Sequence, residues 1–437
     1  MRASNKSKSM KRDWGFGSAA LLRAALAGSL AALLASVSLA QEAASPSPAQ
    51  PSEAPKGDAA RPEVGNVIKA ARDLIQAKKY KEALAKVQET NAVPNLNAYE
   101  KFVIDLTRGS AAQGAGETDT AISSFESVVA SGRLPPVDQT KVMGAIAAMY
   151  YGNKNYAKAI QWVTRYEKEG GTDPAIHQLL VQGDYLSGDN ADAAKLLRDE
   201  IDSDEKAGRA PTEERLLFLA SCYLKMNDNT GYTFALEKLV AHYPKKSYWA
   251  DLISRMQRKA GFSDRLELDV LRLQLATGNL SKPNEFMEMA QLALQAGFPI
   301  EAKRIVDQGY SSGLLGKGAD AERQNRLREL TNKQAAQDAA AIAQGDSEST
   351  SAKEGDVLLA IGYNDVLNGK AERGLALMEK GIHQSPKHPE DAKLHLALAY
   401  LHAGQKVRAI QLLQTVRGND GAADLARLWL LQENRGA

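Results

Sequence analysis

The chain has 437 residues, of which 44% are hydrophobic and 25% are charged, as in a folded protein and unlike a disordered one. Only 6% are aromatic and proline is scarce outside one segment, which favours helices over strands. The net charge of +2 hides an uneven distribution, because residues 1–40 hold six basic residues and one acidic residue. The remainder is weakly acidic and lacks a basic stripe, which disfavours nucleic-acid binding. The single cysteine, Cys222, excludes an internal disulfide and lies in an apolar run that predicts burial.

The N-terminal segment has the features of a secretory signal peptide. Basic residues precede an apolar stretch over residues 19–34, and small residues then lead to Ala40. This order predicts cleavage after Ala40 and export to a bacterial periplasm. An uncleaved anchor is the alternative, although the stretch falls short of the ~20 strongly apolar residues of a membrane span. Residues 41–62, rich in Pro, Ser and Ala, predict an extended linker.

Beyond the linker, the sequence contains a series of predicted turns between helices. Each is followed, about one turn of helix later, by a small residue. Most separations are 35 to 38 residues, and the two longer gaps correspond to three and two intervals of 36. A period of this length predicts stacked helical hairpins, in which small residues allow two helices to cross closely. We expect the following residues to pack at these crossings: Ala83, Ala121, Ala159, Ala194, Ala302, Gly374 and Ala409.

The later part of the chain keeps the helical pattern but not always the small residue. The apolar spacing predicts helices over residues 213–225, 231–242, 248–258, 264–276, 391–403 and 422–432. Residues 319–344 predict one long, mostly exposed helix, and residues 345–351 a loop. We therefore expect an N-terminal array over 63–318, a seam over 319–352, and a C-terminal array with a capping helix over 353–437.

Several units carry a common set of residues at matching offsets. One unit has Ala397, Tyr400 and Ala409, and another has Ala147, Tyr150 and Ala159 at the same spacing. These units resemble tetratricopeptide repeats, although they lack the early tryptophan of that family. The resemblance implies an all-α fold, an α-solenoid of stacked antiparallel helix hairpins, with a role in binding proteins.

The residues that could act in catalysis or metal binding do not form a recognisable catalytic motif. The glycine-rich residues 313–318 depart from a phosphate-binding loop and are better explained as a turn between helices. His388, His395 and His402 are spaced seven apart, so the last two are separated by ~10.5 Å along one helix and cannot chelate one ion together. They are expected on a solvated face, with a pH-sensitive contact surface as the alternative. We predict no enzyme activity, no cofactor and no metal site.

The concave face of the solenoid, lined by the first helices of the hairpins, is the expected binding surface. Under the repeat resemblance, exposed first-helix positions include Gln113, Tyr151 and His402, which we take as candidate partner-binding residues. Tyr151 follows the packing residue Tyr150, so it would point away from the core and could anchor an extended peptide. Packing of Tyr151 against the adjacent repeat is the alternative.

The leading hypothesis is a scaffold that binds another protein or peptide of the cell envelope. The alternatives are an accessory subunit of an envelope enzyme or transport complex, and a structural spacer. The sequence does not specify the partner or the oligomeric state.

Overall fold

A computed structural model describes residues 59–344 and 354–434 of the chain. The predicted signal peptide, most of the predicted linker and the predicted loop 345–351 lie outside the described residues. The chain divides into two compact units, Met1–Glu200 and Ile201–Ala437. The predicted seam over 319–352 therefore falls inside the second unit, and the division lies instead within a helix.

The all-α prediction is confirmed: the described residues contain 20 α-helices and no strand. In chain order the helices are α1 Pro62–Gln76, α2 Tyr80–Gln88, α3 Ala98–Ala115, α4 Thr118–Ala130, α5 Pro136–Gly152, α6 Tyr156–Lys168, α7 Pro174–Ser187, α8 Asn190–Lys206, α9 Glu213–Lys225, α10 Asn229–His242, α11 Lys246–Gln257, α12 Glu267–Ala276, α13 Pro283–Gln295, α14 Pro299–Ser311, α15 Ala321–Gln344, α16 Gly355–Leu367, α17 Ala371–Gly381, α18 Pro389–His402, α19 Lys406–Leu413 and α20 Ala422–Glu433. Short 3-10 helices cover Glu89–Ala92 and Asp264–Leu266.

The helix boundaries follow from local sequence. Six helices begin with proline at the first position, where the missing N–H has no intrahelical partner to lose. The predicted helices over residues 213–225 and 422–432 match α9 and α20 to within one residue. The predicted helix over 264–276 is split, because its first three residues adopt the 3-10 form.

Eight helix pairs with connections of only two or three residues share one type of turn. In each turn a residue adopts the left-handed conformation, and the N–H of the next residue donates to the carbonyl five positions earlier, at 2.8–2.9 Å. This hydrogen bond is the Schellman motif, which ends the first helix of the pair. The left-handed residues are Lys78, Gly116, Lys154, Gly188, Asn227, Gly297, Gly369 and Gly404.

The returning small residue has a fixed place relative to this turn. It stands five positions after the left-handed residue in seven of the eight pairs, and Tyr232 occupies the place in the α9–α10 pair. In the α7–α8 pair the residue at this offset is Ala193, one position before the predicted Ala194. The structure buries every residue of the predicted packing set, Ala194 included: Ala83, Ala121, Ala159, Ala194, Ala302, Gly374 and Ala409.

The hairpins stack within each unit. In the first unit the first helices of successive pairs lie side by side, α1 against α3 and α5 against α7. Their shared core contains the fully buried Phe125, Leu106 and Ile146. In the second unit α16 lies beside α18, and α20 packs on α10 and α12 as well as on α18 and α19. The predicted stacking of antiparallel hairpins is therefore present in both units.

Two pairs of facing glycines allow α16 and α17 to pack very closely. Gly362 faces Gly374 and Gly355 faces Gly381, so that a Cβ added at Gly374 would lie 2.4 Å from the Gly362 carbonyl oxygen. An added Cβ would therefore clash, and the two helices can approach this closely only because glycine has no side chain. This close approach sets the position of Tyr363, which follows Gly362 in α16.

The long helix α15 confirms the predicted exposed helix, shortened by two residues. One narrow stripe is buried: Gln324, Leu327, Thr331 and Ala335. The stripe repeats every three or four residues and packs on α14, while the remaining faces are largely exposed.

Candidate functional site

The three predicted partner-binding residues differ in exposure. Tyr151 is only 8% exposed, and its hydroxyl donates to the Gln182 side-chain oxygen of α7 at 2.9 Å. Its ring also meets Tyr156 edge-on, at 5.5 Å between centroids. The expectation that Tyr151 points away from the core was therefore wrong, because the neighbouring hairpin covers it. Gln113 of α3 is half-buried and His402 of α18 is exposed.

A cluster of buried charged residues lies in the second unit, on α12, α14 and α18. The Arg272 guanidinium donates to both carboxylate oxygens of Glu301, at 2.8 and 2.6 Å, and to Asp269 at 2.8 Å. His395 Nε2 lies 3.0 Å from the Asp269 carboxylate. Arg272, Asp269 and Glu301 are all buried, so we call this set the buried ion cluster.

Within the buried ion cluster, Asp269 and Arg272 both remain charged despite their burial. Burial acts to raise the pKa of Asp269, but His395 and Arg272 outweigh it and lower the pKa to about 2. Burial likewise opposes the charge of Arg272, yet the neighbouring carboxylates hold its pKa above the ordinary value. Removing the two charges of an ion pair from water costs roughly several kcal/mol per ion, unless further hydrogen bonds compensate. Here Glu301 and Asp269 supply three such bonds to one guanidinium.

Two aromatic rings enclose the guanidinium of Arg272. Its central carbon lies 4.9 Å from the ring centre of Tyr363 and 5.5 Å from that of Phe298. The two rings meet edge-on at 5.0 Å, and the His402 ring lies 6.1 Å from Tyr363. Tyr363 is 2% exposed, and burial raises the pKa of its phenol. Its hydroxyl has no hydrogen-bond partner among the described residues.

A cavity of about 190 Å³ opens above these groups. It lies between the first helices of two successive hairpins, α16 and α18, and we call it the α16–α18 cavity. Its inner wall is formed by Arg272, Phe298 and Tyr363. The other lining residues are Asp356, Leu359, Ala360, His388, Asp391, Ala392 and His395.

A second ion pair fixes one wall of the α16–α18 cavity. Arg265 donates to both oxygens of Asp391, at 2.6 and 2.9 Å, and also to Asp420 at 2.6 Å. The hydrogen bond to Asp391 is the main reason why the pKa of Arg265 is raised. Asp391 is therefore held in place, whereas the exposed Asp356 accepts only the backbone N–H of Lys387, at 3.2 and 3.3 Å.

The sequence analysis did not identify this site. Two of its contacts, Arg265 with Asp391 and His395 with Asp269, join residues 126 apart along the chain, and repeat spacing does not reveal such contacts. A local signal was available, since Asp269 and Arg272 stand three apart inside the otherwise apolar run from Leu268 to Leu273. His388 is exposed, as predicted for a solvated face, whereas His395 is half-buried against Asp269. His402 is exposed in part, but burial of its ring beside Tyr363 lowers its pKa.

Other chemistry is limited in the described part of the chain. No group of three or more potential metal ligands was found in it, and none of its helices combines the length and hydropathy of a membrane span. Cys222 is buried as predicted, and burial raises the pKa of its thiol to about 12. The glycine-rich residues 313–318 form a turn between α14 and α15, as predicted.

Comparison with known proteins gives distant likenesses only. No family model and no curated protein matches the chain. Among solved structures it is similar to yeast Tom70, with 13% identity, 85% of this chain and 94% of that chain covered, and a TM-score of 0.22. It is also similar to the TPR domain of P58(IPK), with 14% identity, 84% and 98% covered, and a TM-score of 0.23. TM-scores this low carry no argument, and the all-α hairpin fold is established by the helices themselves.

Proposed function

We propose that this chain is an exported, periplasmic scaffold that binds a segment of another cell-envelope protein and has no enzymatic activity of its own. The leader-like residues 1–40 support the location. The hairpin architecture and the repeat resemblance support a binding role, because stacked hairpins present adjacent first helices to a partner.

The observation that carries the proposal is the size and lining of the α16–α18 cavity. Sites for metabolites and cofactors enclose roughly 300–1,000 Å³. This cavity, at about 190 Å³, is smaller and lies between the neighbouring helices α16 and α18. It is suited to one side chain of a partner segment that lies across α16 and α18.

Site-specific cross-linking in cells tests this proposal. A photo-reactive amino acid replaces Ala360, which is exposed and lines the cavity, in the full-length exported protein. Ala376, exposed on α17 and outside the cavity lining, provides the matched control. We expect the protein in the periplasmic fraction, with one envelope protein cross-linked through position 360 and not through position 376.

Two results would contradict the proposal. Retention of the full-length chain in the cytoplasm would contradict the proposed envelope location. Identical cross-linking patterns at the two positions, or none at either, would favour a spacer without a recognition face.

A further inference from the structure

We infer that the α16–α18 cavity receives a basic side chain, arginine or lysine, from the partner segment. The inference rests on the proposed function and specifies the chemistry of its ligand. It is carried by the charges around the cavity, by the free hydrogen-bonding capacity of Asp356 and by the cavity's dimensions.

Negative charge exceeds positive charge in the lining and in the ion pairs directly behind it. Five carboxylates surround two guanidinium groups there, Arg265 and Arg272. The carboxylates are Asp269, Glu301, Asp356, Asp391 and Asp420. A cationic ligand would reduce this imbalance, whereas an anionic ligand would increase it.

The cationic groups at the site are already engaged. Arg272 directs three N–H groups to Glu301 and Asp269, and Arg265 directs its N–H groups to Asp391 and Asp420. An anion would have to compete with these buried carboxylates for the same donors. Asp356, by contrast, is exposed at the cavity and its oxygens accept one backbone N–H between them. A carboxylate has about four lone-pair positions, so it retains capacity for a charged donor.

The lining also suits the aliphatic part of an arginine or lysine side chain. The Tyr363 hydroxyl is itself enclosed, so it lies behind the wall and is not an acceptor for a group in the cavity. Leu359, Ala360 and Ala392 provide apolar surface for the aliphatic part of such a side chain.

The test measures binding of defined small probes to the full-length chain by saturation-transfer NMR titration. Nα-acetyl-arginine amide and Nα-acetyl-lysine amide are compared with Nα-acetyl-citrulline amide, which has nearly the shape of the arginine probe without its charge. Nα-acetyl-glutamate amide represents the anionic alternative. We expect the basic probes to bind at least about tenfold more tightly than citrulline, the value of one charged hydrogen bond.

Variants locate the binding. Asp356→Asn keeps an acceptor for the Lys387 N–H but removes the charge. It should weaken binding of the arginine probe at least about fivefold, the equivalent of one hydrogen bond of about 1 kcal/mol. Asp320→Asn, at an exposed carboxylate outside the cavity lining, should leave it unchanged.

The outcomes separate the inference from the proposed function. Equal binding of arginine and citrulline probes, tighter binding of the glutamate probe, or equal effects of the two variants would overturn the inference. Cross-linking specific to position 360 would still support the scaffold in those cases. Loss of that cross-linking with retained, Asp356-dependent arginine binding would overturn the scaffold and leave the cation site standing.

Discussion

The Glu100 side chain links the beginnings of α1 and α3 in the first unit. One of its oxygens accepts the Arg61 backbone N–H at 3.0 Å and the Arg61 Nε at 2.8 Å. The other accepts from Arg61 Nη2 and from the Asn97 backbone N–H, both at 2.9 Å. Since the Asn97 side chain accepts from the Glu100 N–H, the two residues also form a capping box. Hydrogen bonding to Arg61 outweighs burial and lowers the pKa of Glu100 to about 2.

Glu100→Gln should lower the free energy of unfolding of the first unit by about 1–3 kcal/mol at pH 7, because a buried charged acceptor loses its strongest hydrogen bonds. The native pKa lies below the ordinary value of 4.5, so the carboxylate stabilises the fold fully above pH 4.5. This contribution is lost as the pH falls towards 2. Urea unfolding followed by circular dichroism at pH 7, 4.5 and 3 measures the difference between wild type and variant, which should shrink over this range. Glu82→Gln is the control, since exposed Glu82 forms a surface ion pair with Lys79 and should matter by less than about 1 kcal/mol. A difference independent of pH would contradict the assignment.

Residue-level prediction from the sequence succeeded where neighbours along the chain decide the environment. The small residues of the repeat lie in the core, as Ala83 and Ala159 show, because their surroundings are their own hairpin. It failed at Tyr151, whose burial depends on Gln182 from the next hairpin. It also missed Arg272, whose partner Glu301 lies on another helix.

At the scale of helices, the eight equivalent turns explain how the repeat persists without a fixed sequence. Each turn requires one residue in the left-handed conformation, which costs about 1–2 kcal/mol for a residue other than glycine. Five of the eight positions are glycine, as at Gly116, but Lys78, Lys154 and Asn227 are not. The glycine turns can be read from the sequence. The lysine turns are recognised only by their offset of five from the following small residue.

The first unit offers opposite changes at two equivalent turns. Gly116→Ala should lower the free energy of unfolding by about 1 kcal/mol, although the added Cβ meets nothing within 4 Å, because the backbone there has φ 82°. Lys154→Gly, at φ 60°, should raise it by up to about 1 kcal/mol. Both are measured by urea unfolding of the full-length chain.

Gly65→Ala separates turn conformation from general effects of glycine. Gly65 lies within α1, and its Cβ position is also open. Alanine there should stabilise by about 0.5–1 kcal/mol. If Gly116→Ala and Gly65→Ala shift stability in the same direction, the left-handed turn is not the controlling feature.

At the scale of the whole molecule, the second unit joins segments that the sequence analysis assigned to separate arrays. The helix types and most boundaries were predictable from periodicity, including α20. The packing of α20 on α10 and α12 was not, because it depends on partners more than a hundred residues away. Ion pairs accompany this packing: Lys259 with Asp424 at 2.8 Å, and Arg427 with Glu237 at 2.8 Å. The last predicted helix therefore does not merely cap a terminal repeat.

Removal of α20 tests whether this packing maintains the second unit. A chain ending at Gly418 would lose the buried Leu425, Leu428 and Trp429 and uncover the faces of α10 and α12 beneath them. Each large apolar side chain contributes about 1.5–3 kcal/mol when buried, so the loss approaches the roughly 5–15 kcal/mol that stabilises a whole domain. Hydrogen exchange should accelerate throughout α10 and α12, whereas a chain ending at Asn434 should exchange as the full-length protein does. If exchange accelerated only in the adjoining α19, α20 would be a terminal cap after all. Exchange in α10 and α12 therefore decides between a closed second unit and a simple end-to-end array.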